Sequence, residues 1–308
     1  MQKERKNKMY LLGVSGGPDS MYLLNMYKDK YPNDIYVACV NYNVRENSSY
    51  DTSIVIEYCK KYNIPFSILE IDKNEYKTGN FEKWARDIRM DFFKNIYTIL
   101  DCEALVLAHH KDDFLESAFM QHDSKRNVLY YGIKSKNYIY GMQVIRPLVH
   151  KVYKSQIIKY LDKHGIKYAI DETNDQPIYT RNKVRQKLNG LTLKQKESMY
   201  KLITRINNRL SNIEDVAEIE FRKWFRTWFS QTYFSNKVEH KKEVVYRLIH
   251  AFYDDIKLSG GKIQSIVYFI VGTKKPGKYI LKDNVYISKE HGKIQLTCSK
   301  FLKKESKS

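Results

Sequence analysis

Short apolar runs alternate with longer helical segments over the first third of the chain. Each apolar run is short enough to be a buried strand, and the segments between the runs have helical character. The predicted strands are Met9–Gly13, Ile35–Val40, Phe66–Ile71 and Ala104–Ala108, and the predicted helices between them include Ser53–Tyr62 and Phe81–Leu100. This alternation indicates an α/β fold in which a parallel sheet carries helices on both faces.

The pattern changes near residue 190. Apolar residues at helical spacing between Leu193 and Leu210, with lysines and arginines on the other faces, predict a connecting helix. Three short strands separated by turn residues then predict a small antiparallel sheet: Lys278–Lys282, Val285–Lys289 and Lys293–Thr297. The predicted parts are an α/β domain over residues 1–190, a helical linker over 191–212 and a small α+β C-terminal domain over 213–308.

Five aromatic residues recur at i, i+3, i+4, i+7 and i+8 in this last part: Phe221, Trp224, Phe225, Trp228 and Phe229. The spacing predicts the buried stripe of an amphipathic helix. We favour core packing for these rings over stacking on nucleic-acid bases, which stays the alternative.

The charge of the chain points to a polyanionic partner. The formal net charge is +19, from 54 Lys+Arg against 35 Asp+Glu, and such an excess attracts nucleic acid over long range. A membrane surface is the competing explanation. No window carries eighteen apolar residues, and the polar segment Met1–Lys8 leads directly into a predicted strand, so we expect a cytoplasmic protein with no membrane partner.

The cysteines do not form a recognisable metal or disulfide pattern. Cys39, Cys59, Cys102 and Cys298 are widely spaced, and none belongs to a Cys-x-x-Cys pair. This excludes the usual zinc-ribbon and iron–sulfur spacings and indicates buried thiols.

The first strand runs into a glycine-containing loop, Ser15-Gly16-Gly17-Pro18-Asp19-Ser20, that precedes a helix. Two glycines and two hydroxyls at a helix N-terminus are suited to binding phosphate. The loop is neither a Walker A sequence nor a dinucleotide motif. Because a carboxylate would repel phosphate, Asp19 implies a magnesium ion that bridges it to pyrophosphate. The alternative is an ordinary strand-to-helix turn with an N-capping Asp.

A second polar segment follows the fourth predicted strand. Residues 108–117 contain His109, His110 and three carboxylates, of which Asp113 and Glu116 lie on one helical face and can hold a cation between them. A mixed metal site and simple capping of the helix remain alternatives. Since Ser15 and His109 both follow strands, we expect their segments to meet at the carboxyl edge of the sheet.

Two further segments lie between residues 146 and 185. Arg146-Pro147-Leu148 precedes a predicted helix over Lys151–His164, and Asp171-Glu172-Thr173-Asn174 precedes Arg181 and Arg185. These two arginines are one helical turn apart and can bind a phosphate or carboxylate together, although a solvated charged face explains either arginine alone.

Taken in order, these segments resemble the tRNA(Ile)-lysidine synthetase branch of the PP-loop ATP pyrophosphatase superfamily. The resemblance covers residues 9–189 and includes Ala85-Arg86-Asp87-Ile88-Arg89, while residues 41–45 and 121–140 depart from the family pattern. It implies a PP-loop fold and a two-step reaction. ATP adenylylates the C2 oxygen of the wobble cytidine of a tRNA(Ile) with a CAU anticodon, and the ε-amine of free L-lysine then displaces AMP.

The resemblance also assigns roles to individual residues. ATP binding is predicted for Ser15, Gly16, Gly17, Pro18, Asp19, Ser20 and His109; magnesium binding for Asp19; and catalytic roles for Asp19 and Asp113. Lysine binding is predicted for Asp113, Glu116, Arg89 and Arg181, and tRNA binding for Arg185, Lys194 and Arg205. Residues 1–190 are predicted to be the ATP-binding catalytic domain, and the small domain over 213–308 is predicted to bind tRNA. An oligomer is possible.

Two other functions remain alternatives. A PP-loop enzyme that thiolates a tRNA base usually needs cysteines that hold a cluster, and this chain has no suitable set. A non-catalytic RNA-binding module explains the charge but gives Asp19, Asp113 and Glu116 no purpose beyond capping.

Overall fold

The computed structural model describes residues 9–43, 48–72, 74–124, 128–169, 180–253, 256, 258–273, 275–282 and 285–297. For residues 48 and 180–182 it describes the backbone only. The chain divides into two compact units. The first comprises residues 1–120 and 132–200, and the second comprises 121–131 and 201–308.

The first unit is built on a six-stranded sheet. Its strands are β1 (Tyr10–Gly13), β2 (Ile35–Asn41), β3 (Phe66–Glu70), β4 (Ala104–Val106), β5 (Lys136–Ile139) and β6 (Met142–Ile145). The strand order is β3-β2-β1-β4-β6-β5. All neighbouring strands pair in parallel except β5 and β6, so the α/β prediction is confirmed and the sheet gains an antiparallel edge.

Helices cover both faces of this sheet. They are α1 (Pro18–Lys30), α2 (Ser48–Lys61), α3 (Phe81–Ile99), α4 (Lys111–Asp123), α5 (Lys154–Lys163) and α6 (Thr180–Asn189). Successive strand residues face opposite sides, so the fully buried Leu12 packs with the cluster that includes α1, α2 and α5, while the fully buried Leu11 packs with Phe93 of α3.

The β5–β6 hairpin was not predicted from the sequence. Tyr140 and Gly141 connect its strands with φ values of 50° and 81°, as a two-residue hairpin turn requires. Arg146 fixes the edge strand, because its Nη1 donates to the carbonyl of Lys134 at 2.9 Å and to Oδ1 of Asn137 at 2.6 Å. The Arg146-Pro147-Leu148 segment therefore has a structural role.

The second unit consists mainly of helices with a small sheet. Its elements are α8 (Gln231–Lys237), α9 (Lys241–Phe252), α10 (Gly260–Val271), β7 (Gly277–Lys282), β8 (Val285–Glu290) and β9 (Lys293–Leu296). The three strands form the predicted antiparallel sheet. Helix α7 (Leu193–Arg226) contributes residues to both units and continues well beyond the predicted linker.

The prediction of a single buried aromatic stripe is wrong. Helix α7 ends at Arg226, so Trp228 and Phe229 lie beyond the helix, both with left-handed φ values near 55°. Trp224 is fully buried and donates its Nε1–H to the carbonyl of Ser230, whereas Phe225 is 52% exposed and Trp228 is 76% exposed. No described helix is long and apolar enough to cross a membrane.

Candidate active site

Two loops meet where the order of strands changes direction. The chain passes from β1 outward through β2 and β3, then returns to place β4 on the other side of β1. Ligands of open α/β sheets bind at such a switch point, beyond the carboxyl ends of the strands. The first turn of α1, which follows the loop after β1, holds Asp19. The loop after β4 holds His110, whose Nε2 lies 3.5 Å from Oδ1 of Asp19. The expected meeting of the two segments is confirmed.

The loop between β1 and α1 depends on Gly16. Its φ is 81°, and a Cβ at this position would lie 2.4 Å from the carbonyl oxygen of Asp51. Its own carbonyl accepts a hydrogen bond from the amide of Ala169 at 2.9 Å. Only glycine fits this conformation and this space, since both the backbone torsion and the neighbouring backbone exclude a side chain.

The N-terminus of α1 faces the ligand side of this loop. Pro18 begins the helix after the N-cap Gly17, which offers no side-chain acceptor to the first-turn amides. The Oγ of Ser20 accepts from the amide of Ser15 at 3.2 Å and donates to the carbonyl of Gly17 at 2.9 Å. Hydrogen bonds within the loop therefore hold its shape, and the positive N-terminal end of α1 lies next to it, as an anion site requires.

Asp19 is held by two basic side chains. Its Oδ2 is 2.7 Å from Nζ of Lys154, while its Oδ1 is buried and has no hydrogen-bond partner among the described residues. Burial alone would raise the pKa of Asp19, but His110 and Lys154 together lower it, so the carboxylate is ionised at neutral pH. An ionised, buried oxygen whose nearest basic group is the His110 ring at 3.5 Å fits a magnesium ligand.

His110 connects Asp19 to Asp113. Its Nε2 lies 3.4 Å from Oδ2 of Asp113, and its Nδ1 accepts from the amide of Asp112 at 3.2 Å. Burial disfavours the charged imidazole, but the charges of Asp113, Asp19 and Asp112 outweigh burial and raise the pKa of His110. The family resemblance predicts ATP binding by His109. The neighbouring His110 lines the cavity, and His109 is not among its lining residues.

Asp112 joins three helices of the first unit. Its Oδ1 binds Nζ of Lys196 at 2.6 Å, and its Oδ2 accepts from the amide of Lys154 at 2.8 Å. A second ion pair between α4 and α7 joins Nζ of Lys111 to Oε2 of Glu197 at 3.0 Å. The nearly buried Asp112–Lys196 pair fixes α4 against α7. The bond from the Lys154 amide to Asp112 fixes the N-terminus of α5, and with it Lys154, against α4.

Glu116 is bound by Arg185 of α6. Nε of Arg185 donates to Oε1 at 2.9 Å and Nη2 to Oε2 at 3.3 Å, and the Glu116 side chain is only 4% exposed. This two-point geometry fixes the guanidinium plane. Arg185, predicted to contact tRNA, therefore lies in the cavity wall and neutralises a residue predicted to bind lysine.

These groups line one cavity of about 580 Å³, within the size range of small-molecule sites. The lining residues are Ser15, Gly17, Pro18, Asp19, Asp51, His110, Asp112, Asp113, Glu116, Lys154, Ile158, Tyr168, Ala169, Arg185 and Asn189. Five carboxylates face two permanently charged basic side chains there, so the cavity can accept added cations next to its phosphate-binding loop.

Of the remaining predicted residues, Arg89, Lys194 and Arg205 do not line the cavity. Arg89 is exposed on α3, where its charge acts on Tyr42, and it does not line the cavity. Arg181 belongs to α6, but its side chain lies outside the described residues. Lys194 is exposed in the first turn of α7, and Arg205 is exposed further along that helix in the second unit.

The three described cysteines are buried and free. Burial raises the pKa of Cys39 and Cys59 to about 12, and that of Cys102 to about 11. Thiols in this state are poor nucleophiles and poor metal ligands at neutral pH.

A comparison with protein families finds a match that covers most of the first unit. A family described as a PP-loop domain matches residues 1–191. The tRNA(Ile)-lysidine synthase of Mycoplasmopsis pulmonis is 41% identical over 91% of this chain and 96% of its own length. That of Mesomycoplasma hyopneumoniae is 34% identical over 97% of this chain and 99% of its length.

Among solved structures, the U34-tRNA thiolase NcsA from Methanococcus maripaludis is similar with a TM-score of 0.56. It is 20% identical and covers 67% of this chain, with 73% of its own length matched. At this identity the likeness shows the fold alone.

Proposed function

The chain belongs to the tRNA(Ile)-lysidine synthase family of PP-loop enzymes, and we propose that its cavity carries out both steps of lysidine formation on tRNA(Ile) with a CAU anticodon. The observation that carries the proposal is the meeting of Asp19, His110, Asp113 and Lys154 in one cavity at the phosphate-binding loop. Both steps need their reactants within reach of the same cytidine, and one cavity supplies that.

The first step uses the loop and the N-terminus of α1. The C2 oxygen of the wobble cytidine forms a bond to the α-phosphorus of ATP, and the bond from this phosphorus to the pyrophosphate oxygen breaks. The leaving group carries concentrated negative charge, so positive groups that bind it lower the barrier. The first-turn amides of α1, the hydroxyl of Ser15 and the ammonium of Lys154 are the groups in place for this role.

Magnesium fits the carboxylate of Asp19. When bound, the ion would neutralise charge on the β- and γ-phosphates of ATP. Lys154 binds Oδ2 of this carboxylate, and Oδ1 is buried, makes no hydrogen bond to a described residue, and has the His110 ring at 3.5 Å. We infer that Lys154 keeps Asp19 ionised and oriented, and then binds phosphate itself.

The second step needs a lysine whose amine has lost its proton. The amine nitrogen forms a bond to C2 of the cytidine, the bond from C2 to the adenylate oxygen breaks, and AMP leaves. A free lysine side chain is protonated at neutral pH because its pKa is about 10.4, so it must be bound as a cation first. Asp113, at the cavity wall, supplies the carboxylate for this binding, and Glu116 acts through Arg185.

Pyrophosphate release tests this assignment. We expect release to require the CAU-containing tRNA(Ile), ATP and magnesium together, and the Asp19→Asn variant to lose it while remaining folded. A non-catalytic RNA-binding protein would release none under any combination. Release at the wild-type rate from folded Asp19→Asn would show that this carboxylate does not serve the phosphates.

A further inference from the structure

A groove on the second unit takes no part in the chemistry described above. Three phenylalanines and two arginines form most of its wall, and its volume is about 310 Å³. The lining residues are Phe221, Arg222, Phe225, Arg226, Ala251 and Phe252. We refer to it as the aromatic groove.

The rings of the aromatic groove are organised around Phe229. The ring of Phe229 meets that of Phe225 edge-on with centroids 5.4 Å apart, and it meets that of Phe252 in the same way at 6.1 Å. The ring of Phe221 is 6.3 Å away. Phe225 is nevertheless 52% exposed, so about half of its surface stays accessible to a ligand.

The end of α7 keeps another large ring at the surface. Trp228 and Phe229 both adopt left-handed backbone conformations, with φ of 55° and 56°. Such torsions are unusual for bulky residues and are costly. Trp228 remains 76% exposed, so this reversal of the chain gains no burial for its ring. Strain of this kind concentrates at functional surfaces.

Positive charge surrounds the rings. Arg222, Lys223 and Arg226 are all exposed on the last turns of α7, and Arg226 makes no ion pair with any residue that the structure describes. The nearby acidic side chains are engaged. Glu218 binds Arg222, and Glu220 accepts from the amides of residues 239 and 240 at 3.0 Å each.

We propose that the aromatic groove binds an unpaired nucleotide of the tRNA, with its base stacked on Phe225 and its phosphate at Arg226. Aromatic faces flanked by arginines suit single-stranded nucleic acid, because every base has a face that stacks and a phosphate that needs a cation. A second copy of this chain fits less well, since it would bring two sets of arginines together. The choice of tRNA as the RNA rests on the proposed function.

Binding by the full chain to three RNAs tests this inference: a CAU-containing tRNA(Ile) transcript, a short oligoadenylate and a duplex of equal length. We expect Phe225→Ala and Phe225→Leu to weaken tRNA and oligoadenylate binding by about five- to a hundredfold, because stacking is lost. Phe225→Trp should keep wild-type affinity, and duplex binding should not change. Tyr268→Ala removes another exposed aromatic ring, on α10 and 69% exposed, and serves as the control.

Substitution of Arg226 allows a second measurement, the salt dependence of RNA binding. Arg226→Gln should reduce the slope of log affinity against log salt by about 1, and Arg226→Lys should preserve it. Phe225→Leu retains an apolar side chain, so a melting temperature equal to the wild type separates lost stacking from lost folding.

Wild-type RNA affinity in both folded Phe225 variants would overturn the inference. So would a wild-type dimer that becomes monomeric in Phe225→Ala with unchanged RNA affinity, as light scattering would detect. Oligoadenylate binding needs neither ATP nor lysine. Failure of the wild type to form lysidine would therefore contradict the proposed function without affecting this result.

Discussion

The ammonium of Lys154 lies 2.7 Å from the carboxylate of Asp19, although 135 residues separate the two along the chain. Lys154 is the first residue of α5, and Asp19 is the second residue of α1. The contact therefore brings two helix N-termini, each with a partial positive charge, to one carboxylate. This places positive potential where a pyrophosphate would bind.

Removal of the Lys154 charge should weaken the use of ATP. We expect Lys154→Met to raise the ATP concentration needed for half-maximal pyrophosphate release by about ten- to a hundredfold, since a hydrogen bond to a charged group contributes about 1.5–3 kcal/mol. Lys154→Arg should recover part of the loss. Lys159→Met, at an exposed position of the same helix, is the matched control. Unchanged ATP dependence in Lys154→Met would remove Lys154 from the phosphate site.

The two loop glycines should respond differently to alanine. Gly16→Ala combines a left-handed torsion with a contact of 2.4 Å to the Asp51 carbonyl, and we expect it to destabilise the protein by about 1–3 kcal/mol. A Cβ on Gly17 would meet only Oγ of Ser15, at 3.6 Å, so Gly17→Ala should keep the wild-type melting temperature. Equal melting temperatures for both variants would mean that the loop is not constrained at Gly16.

His110 should stabilise the metal-free protein more in acid than in alkali. Burial disfavours its charge, but Asp113, Asp19 and Asp112 raise its pKa above the ordinary value. A raised folded-state pKa contributes stability that is complete below the unfolded value of about 6.5 and is lost as pH rises through the folded value. The loss of unfolding free energy in His110→Gln, measured by urea denaturation in EDTA, should shrink as pH rises. A loss that is constant with pH would contradict this prediction.

The elements of the fold follow from the sequence more readily than the contacts in the site. Continuous apolar runs predicted β1 to β4, and turn residues predicted β7 to β9, because these signals are local. Lys154 could not be singled out, since it is one of 54 basic residues and its partner Asp19 is distant in sequence. The half-exposed strand β5 carries too weak an apolar pattern to be predicted.

The burial of the aromatic residues could not be predicted correctly for a similar reason. Their spacing continues the helical period, but α7 ends at Arg226, so the last two members leave the helix. His109 and His110 are adjacent, and their sequence contains no signal for which ring enters the cavity. The direction of a side chain at the end of a strand depends on where that strand stops, and β4 stops at Val106.

Glu116 and Arg185 should act as one unit in the binding of lysine. We expect Glu116→Gln to weaken apparent lysine affinity by about ten- to a hundredfold while adenylylation continues, so that adenylylated tRNA accumulates at low lysine. Arg185→Gln should have a similar effect, and the double variant should lose less than the sum of the two. Additive losses would show that the two residues act separately. A defect in ATP use with unchanged lysine dependence would place Glu116 at the nucleotide instead.

Mass spectrometry of the tRNA product shows whether the protein forms lysidine. A CAU-containing tRNA(Ile) transcript is incubated with the protein, ATP, magnesium and lysine, and the anticodon fragment is weighed after nuclease digestion. We predict a mass gain equal to lysine minus water on the wobble cytidine, which disappears when ATP or lysine is omitted and in Asp19→Asn. An unchanged cytidine in the complete reaction with the folded wild-type protein would contradict the proposed function.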